Sequence, residues 1–273
     1  MKIGVFDSGI GGLSMQRAIS AYLPQYDYVY LGDTARAPYG GRTHDEVYTY
    51  TKEGIDFLFE KGCSLVVLAC NTASARALRQ IQQEYLAVSH PEKKVLGVII
   101  PTAEAVTLDC GSVFRKVGVM ATQATVESLT YKIEIQKLDP TADVVQVAAK
   151  ELVPLIEDGK IQDTGVFLEK YLKELTEQNI QALVLGCTHY SLLEDKIQNI
   201  VGEEVKVINQ ENIIPQKLKD YLSRHKEIDD KLSQGSSIEF YVTKETTHIH
   251  ELATLWYHKD PKLILVNITK HTT

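Results

Sequence analysis

Short apolar segments alternate with amphipathic segments along most of this chain, and the alternation limits the possible folds more than any other feature. Strand–helix alternation predicts parallel sheets with helices on both faces. The apolar segments contain few polar residues, as expected for strands that helices cover on both sides. The predicted strands are residues 2–6, 28–31, 65–69, 95–99, 117–120, 144–147, 182–185 and 205–208, with two late candidates at 239–242 and 263–268. The predicted helices are residues 13–21, 45–61, 73–85, 125–138, 166–178 and 192–201.

An internal repeat indicates two similar halves. The segment KIGVF at residues 2–6 is echoed by KVGVM at 116–120, and LVVLACNT at 65–72 is echoed by ALVLGCTH at 182–189. The two pairs occur in the same order and at nearly equal separations. We therefore predict an α/β protein with two pseudo-symmetric parallel-sheet domains and an active site in the cleft between them. The expected first domain comprises residues 1–97 plus 208–273, and the expected second domain comprises residues 98–207.

Composition and charge exclude several functional classes. Hydrophobic residues make up 44% of the 273 residues and charged residues 24%, which is typical of a globular protein with its own core. The net charge of −7 argues against a general nucleic-acid binder, and no apolar run is long enough to predict a membrane span. The N-terminus begins with a strand rather than a signal peptide, so we expect a cytoplasmic protein with reduced thiols. The four cysteines have no CxxC spacing, and we predict no metal site.

Cys70 and Cys187 occupy matching places in the two halves. Each follows an apolar segment and precedes residues that favour a helix start, so each sulfur is expected at the carboxyl end of a strand, where α/β sheets bind ligands. A helix N-terminus lowers a thiol pKa from about 8.5, which predicts accessible thiolates. Taken alone, either cysteine is explained better by packing as a small buried hydrophobic residue. Two thiols facing one cleft suit the inversion of a stereocentre, because one removes a proton while the other delivers one.

Two further loops follow the first two strands. Residues 7–12 (DSGIGG) contain glycines that permit a close approach to an anion, although their spacing does not match a dinucleotide-binding motif. Residues 32–41 (GDTARAPYGG) offer a tyrosine hydroxyl and a carboxylate, but an ordinary turn explains this composition equally well. His189 could tune the thiol of Cys187 or simply lie exposed near a helix start. We assign no role to Cys63 or Cys110.

Four segments in this order resemble the signature segments of glutamate racemases, in the aspartate/glutamate racemase family. They are FDSGIGGL at residues 6–13, GDTARAPYG at 32–40, ACNTASA at 69–75 and LGCTHY at 185–190. The resemblance covers nearly the whole chain and is weakest after about residue 209. It implies an isomerase that interconverts L- and D-glutamate without a cofactor. It also implies that the D-glutamate serves peptidoglycan synthesis, and hence cell-wall biogenesis and cell shape.

The resemblance also implies roles for individual residues. Cys70 and Cys187 would be the two acid–base residues, the first acting on D-glutamate and the second on L-glutamate. Asp7 would assist Cys70, and His189 would assist Cys187. Family members form dimers, so we expect a homodimer with glutamate as its small-molecule partner. The implied substrate-binding residues are Asp7, Ser8, Pro38, Tyr39, Gly40, Asn71, Thr72, Thr188 and His189.

This chain departs from the family pattern at two places. Ala149 and Lys150 replace the family's usual Cys-Pro before the segment that ends at Glu157. After a late strand, residues 209–211 read Asn-Gln-Glu instead of Asp-Ser-Gly. The roles of Glu157 and Asp33, and any contact of residues 209–210 with the site, are therefore left open.

Three other readings of the sequence remain. The first is a related two-cysteine racemase acting on aspartate or a hydantoin, whereas a decarboxylase of this superfamily would keep one cysteine. The second is a thiol enzyme in which Cys187 attacks a carbonyl with His189 as the base, which leaves Cys70 unexplained. The third is a non-catalytic protein that binds a small anion or a partner protein.

Overall fold

The computed structural model describes residues 1–109 and 114–269, and its strands form two parallel sheets. The first sheet has the strand order β10-β9-β2-β1-β3-β4. Every neighbouring pair in it is parallel, with β1 between β2 and β3 at its centre. Its strands are β1 (Lys2–Asp7), β2 (Tyr28–Gly32), β3 (Cys63–Leu68), β4 (Lys94–Gly97), β9 (Ile238–Val242) and β10 (Leu263–Leu265).

The second sheet repeats the central order of the first. Its strands are β5 (Lys116–Ala121), β6 (Asp143–Ala148), β7 (Ala182–Gly186) and β8 (Lys206–Ile208), in the order β6-β5-β7-β8. The strands β2-β1-β3-β4 of the first sheet correspond in order to β6-β5-β7-β8 of the second. The strands β9 and β10 extend the first sheet beyond β2. The prediction of two pseudo-symmetric parallel-sheet halves is confirmed. The carboxyl ends of β3 and β7, which precede Cys70 and Cys187, are therefore equivalent positions.

Helices cover both faces of the two sheets, and the central strands β1, β3 and β7 are buried over almost their whole length. Among the described residues, Ile81–Leu86 and Ala105–Asp109 have π-helical geometry. The segments with 3-10 geometry there are Tyr39–Gly41, Ile161–Thr164, Thr188–Leu193 and Gln210–Asn212. The α-helices are α1 (Gly12–Tyr22), α2 (His44–Glu60), α3 (Asn71–Arg76), α4 (Leu78–Gln80), α5 (Ala87–Ser89), α6 (Ile99–Glu104), α7 (Gln123–Glu127), α8 (Thr130–Leu138), α9 (Leu152–Glu157), α10 (Gly165–Thr176), α11 (Glu194–Val201), α12 (Ile214–Arg224), α13 (Lys226–Asp229) and α14 (Thr247–Tyr257).

Several predicted boundaries are wrong, each for a local reason. The single helix predicted at 125–138 is broken between α7 and α8, because the Ser128 hydroxyl takes over backbone hydrogen bonds of Thr125 and Thr130. Leu129 lies there at φ 57°. The strand predicted at 95–99 ends at Gly97, since the chain turns directly into α6. Cys63 begins β3 rather than preceding it.

The helix predicted at 73–85 begins earlier and changes geometry before its end. Cys70 caps it, so α3 starts at Asn71, and the segment has π geometry from Ile81. The helix predicted at 192–201 is preceded by a 3-10 turn that starts directly after Cys187. Sequence reasoning did not predict α12 or α14. No helix in the described ranges 1–109 and 114–269 is long and apolar enough to cross a membrane, and Cys110 lies outside those ranges.

Candidate active site

Cys70 and Cys187 line the same small cavity, one from each half. Their side chains are 5% and 8% exposed, and the cavity has a volume of about 20 Å³. That volume holds about one water molecule, so the cleft is closed. The remaining lining residues are Ser8, Pro38, Tyr39, Gly40, Asn71, Thr72, Thr122, Val153, Thr188 and His189.

The cavity therefore collects nearly all the side chains that the sequence singled out. Asp7 is the exception, because it is fully buried and is not among the lining residues. Thr122 and Val153 line the cavity but were not predicted. The repeat held the signal for Thr122, since it follows the start of KVGVM at the same distance as Ser8 follows the start of KIGVF.

Cys70 lies between a helix start and the loop after β1. Its sulfur accepts a hydrogen bond from the Ala73 N–H at 3.4 Å and donates one to Ser8 Oγ at 3.2 Å. Burial raises the pKa of the Cys70 thiol to about 12, and the Asp7 carboxylate contributes in the same direction. The expectation that the helix start lowers this pKa is wrong for the closed cleft, because the lost hydration outweighs one N–H donor. Cys70 is protonated here.

Asp7 connects the two halves through a hydrogen bond with Thr188. Its carboxylate accepts a hydrogen bond from the Gly9 N–H at 3.0 Å and one from Thr188 Oγ1 at 3.4 Å. Burial raises the pKa of Asp7, while the nearby His189 lowers it. Asp7 is thus a buried carboxyl group whose charge helps to keep the Cys70 thiol protonated and which the positive charge of His189 favours in its ionised form.

Cys187, His189 and Glu157 form a hydrogen-bonded series. His189 Nδ1 lies 3.6 Å from Cys187 Sγ, and His189 Nε2 lies 3.0 Å from Glu157 Oε1. Burial acts to lower the pKa of His189, but its bonds to Cys187 and Glu157 outweigh burial and raise the pKa well above the ordinary value. A protonated His189 stabilises negative charge on the Cys187 sulfur. The structure therefore brings Glu157, whose role the sequence left open, into contact with the site.

His189 is enclosed by two features that sequence reasoning missed. The Trp256 ring on α14 meets the His189 ring edge-on, with centroids 5.1 Å apart and planes at 85°. A β-carbon on Gly11 would lie 2.8 Å from His189 Nδ1 and 2.8 Å from Thr188 Oγ1. The sequence predicts that the glycines of residues 7–12 permit close approach to an anion, and one of them, Gly11, permits close contact with these two side chains.

Asp33, the second residue left open, holds Tyr39 against the cavity. Its carboxylate is fully buried and accepts hydrogen bonds from the Tyr39 hydroxyl, from Arg36 Nε at 2.6 Å and from Thr243 Oγ1 at 2.8 Å. Burial raises the pKa of Tyr39 well above its ordinary value, so its hydroxyl keeps its proton. Asp33 thus orients a cavity-lining side chain.

The hydroxyl and amide groups at the cavity can bind a small polar anion. Thr72 Oγ1 lies 2.9 Å from Thr122 Oγ1 across the two halves, and Asn71 exchanges hydrogen bonds with Gln210 and Tyr131. Across the described part of the chain, no group of three or more His, Cys, Asp or Glu residues could hold a metal ion. One neutral thiol and one thiol beside a cationic imidazole therefore flank a polar cavity. Two thiols in such surroundings can accept and donate a proton on opposite sides of a bound molecule.

Comparison with known proteins places the chain within a family. The Asp/Glu/Hydantoin racemase family matches residues 11–211. A glutamate racemase of Dinoroseobacter shibae is 37% identical over 264 residues, covering 93% of this chain and 94% of the relative. One from Aquifex aeolicus is 38% identical over 258 residues, covering 93% of each.

Solved structures give the same result. A glutamate racemase of Bacillus anthracis has a TM-score of 0.87 at 32% identity and covers 97% of each chain. One from Francisella tularensis, in complex with D-glutamate, has a TM-score of 0.86 at 30% identity and covers 98% of this chain and 97% of the other. The chain belongs to the Asp/Glu/Hydantoin racemase family. It is therefore an isomerase of the racemase type.

Proposed function

We propose that this enzyme interconverts L- and D-glutamate by a cofactor-independent transfer of the α-proton between Cys70 and Cys187. The observation that carries the proposal is the shared cavity, which both sulfurs line from equivalent positions of the two halves. The names of the relatives favour glutamate over aspartate or a hydantoin as the substrate.

The protonation pattern supports a direction for the first step. Cys70 is a thiol in the closed cleft, whereas Cys187 lies beside His189, which is hydrogen-bonded to Glu157 and can supply the positive charge that a Cys187 thiolate needs. In the proposed step, the Cys187 thiolate removes the α-proton of L-glutamate and the Cys70 thiol donates its proton to the opposite face. This leaves a thiol at Cys187, a thiolate at Cys70 and D-glutamate as the product.

The carbanion-like transition state must be stabilised by the protein. The α-proton is a weak acid, and the donors around the cavity, Ser8, Asn71, Thr72, Thr122 and Thr188, are placed to hold the two carboxylates as negative charge develops. Water exclusion strengthens these bonds. Because the closed cavity is too small for glutamate, the two halves must separate to admit the substrate and then close around it.

The test compares three serine variants in heavy water. Cys70→Ser and Cys187→Ser are expected to lower kcat/KM for racemisation by about a thousandfold, the typical contribution of a general acid or base. Cys70→Ser keeps Cys187 and should still exchange the α-proton of L-glutamate for solvent deuterium. Cys187→Ser keeps Cys70 and should do the same with D-glutamate. Cys63→Ser, which changes a buried thiol in β3 in the same way, is the matched control. Racemisation at the wild-type rate in either active-site variant would refute the proposal.

We further propose that the D-glutamate supplies peptidoglycan synthesis in the cytoplasm and that the enzyme is a homodimer. Expression in a bacterial strain that requires D-glutamate should restore growth without it, and Cys70→Ser should not. Light scattering measures the mass of the assembly. Failure of the wild-type chain to support growth while racemising glutamate in vitro would contradict the cell-wall role alone.

A further inference from the structure

Gln210 makes a dense set of buried hydrogen bonds beside the cavity. It is 3% exposed and lies in the 3-10 turn after β8, where this chain departs from the family pattern. Its Oε1 accepts a hydrogen bond from Asn71 Nδ2 at 2.7 Å. Its Nε2 lies 2.9 Å from both Thr102 Oγ1 and the Tyr131 hydroxyl, and 3.2 Å from Asn71 Oδ1.

Thr102 determines which atom donates and which accepts in these hydrogen bonds. The Thr102 hydroxyl donates its proton to the Val98 carbonyl at 2.6 Å, so toward Gln210 it can only accept. The Gln210 atom facing Thr102 must therefore be the nitrogen, which places Oε1 toward Asn71. Asn71 must then present its nitrogen to Gln210 Oε1.

Tyr131 fixes the oxygen end of the Asn71 carboxamide. Its hydroxyl donates to Asn71 Oδ1 at 2.6 Å and accepts from Gln210 Nε2. Burial raises the pKa of Tyr131 far above its ordinary value, so the donor proton is retained. Both ends of the Asn71 carboxamide are therefore set. Because Asn71 lines the cavity and its hydrogen bond to Gln210 uses one Nδ2 proton, the other can serve an acceptor there.

We propose that Gln210 is a positioning residue for substrate binding. It holds the Asn71 carboxamide with an N–H available to a carboxylate of the bound amino acid. Without Gln210, the Asn71 amide could rotate and present its oxygen, which repels a carboxylate. The proposal rests on the proposed function, because it assigns Asn71 to a carboxylate of glutamate.

A purely structural role for Gln210 must be separated from this one. Val98 and Thr102 belong to the chain segment that leads from the first sheet to the second, and Gln210 lies on the segment that leads back. Loss of Gln210 could loosen these segments without altering substrate binding. Melting temperature reports the structural effect, whereas the separate values of KM and kcat report positioning.

The experiment measures both kinetic constants for Gln210→Met, which keeps the length of the side chain and removes its hydrogen bonds. Gln216→Met, at an exposed position of α12, is the matched control. We expect KM for each enantiomer of glutamate to rise about tenfold in Gln210→Met, with kcat within about threefold, because a bond common to the ground and transition states is lost. Gln216→Met should match the wild type.

A double-mutant cycle with Asn71→Ala tests whether Gln210 acts through Asn71. Once Asn71 is removed, Gln210→Met should change KM by less than about twofold. An equal tenfold effect in both backgrounds would overturn the proposal, as would an unchanged KM in the single variant. If Gln210→Met does not fold, Thr102→Val replaces it, since it removes the acceptor that orients Gln210, and KM should rise about threefold. A wild-type enzyme that does not racemise glutamate would refute the proposed function instead.

Discussion

Gly11 and His189 approach each other so closely that a β-carbon on Gly11 would lie 2.8 Å from His189 Nδ1. Gly11 belongs to the loop after β1, and His189 follows β7 in the other sheet. The contact therefore joins the two halves at the edge of the cavity. The closed cleft requires a residue without a side chain at this position.

Gly11→Ala should prevent this closure. The added methyl group pushes His189 and Thr188 away, and displacements near 1 Å at a catalytic group cost about a hundredfold in rate. We therefore expect kcat/KM to fall about a hundredfold, measured from the optical rotation or circular dichroism of glutamate over time. Gly41→Ala is the matched control, because its β-carbon would meet nothing within 4 Å. Wild-type activity in Gly11→Ala would show that the contact is dispensable.

Glu157→Gln should change the pH dependence of the reaction. The hydrogen bond to Glu157 helps to raise the pKa of His189, so the substitution lowers that pKa. If protonated His189 supports catalysis, activity is lost as pH rises through its pKa, and the loss should occur at lower pH in the variant. The profile of kcat/KM against pH measures this, with exposed Glu169→Gln as the control. An unshifted alkaline limb would contradict the role given to Glu157.

Trp256→Ala should destabilise the fold strongly. The indole is 1% exposed and packs edge-on against His189, and removal of such a buried aromatic side chain costs about 3–5 kcal/mol of unfolding free energy. Urea denaturation measures the loss. Leu255→Ala removes a neighbouring apolar side chain that is 47% exposed and should cost under about 1 kcal/mol. Equal effects of the two substitutions would show that Trp256 is not a core residue.

The sequence predicted the architecture because it depends on local patterns. Alternating segments and a repeat predict two similar parallel-sheet halves, and the equivalent placement of Cys70 and Cys187 follows from that repeat. The same comparison would have identified Thr122 as the counterpart of Ser8. These features require no knowledge of which distant segments meet.

The remaining features depend on long-range contacts, which no local pattern encodes. Trp256 reaches His189 because the late helix α14 packs against α1, far from it in the sequence. The pKa of Cys70 is set by how completely the two halves exclude water, so a helix-start argument gave the wrong sign. The sequence left open whether residues 209–210 contact the site. In the fold, Gln210 accepts a hydrogen bond from Asn71, which lines the cavity.

The most direct test of the two-thiol account follows the isotope during one early turnover in heavy water. L-glutamate carrying protium at the α-carbon is mixed with the wild-type enzyme, and product and remaining substrate are separated before back-reaction accumulates. The account predicts that the D-glutamate formed carries solvent deuterium, because Cys70 rather than Cys187 delivers its hydrogen. Early product that retains the protium of the substrate would contradict it, since a single group would then both remove and return the proton.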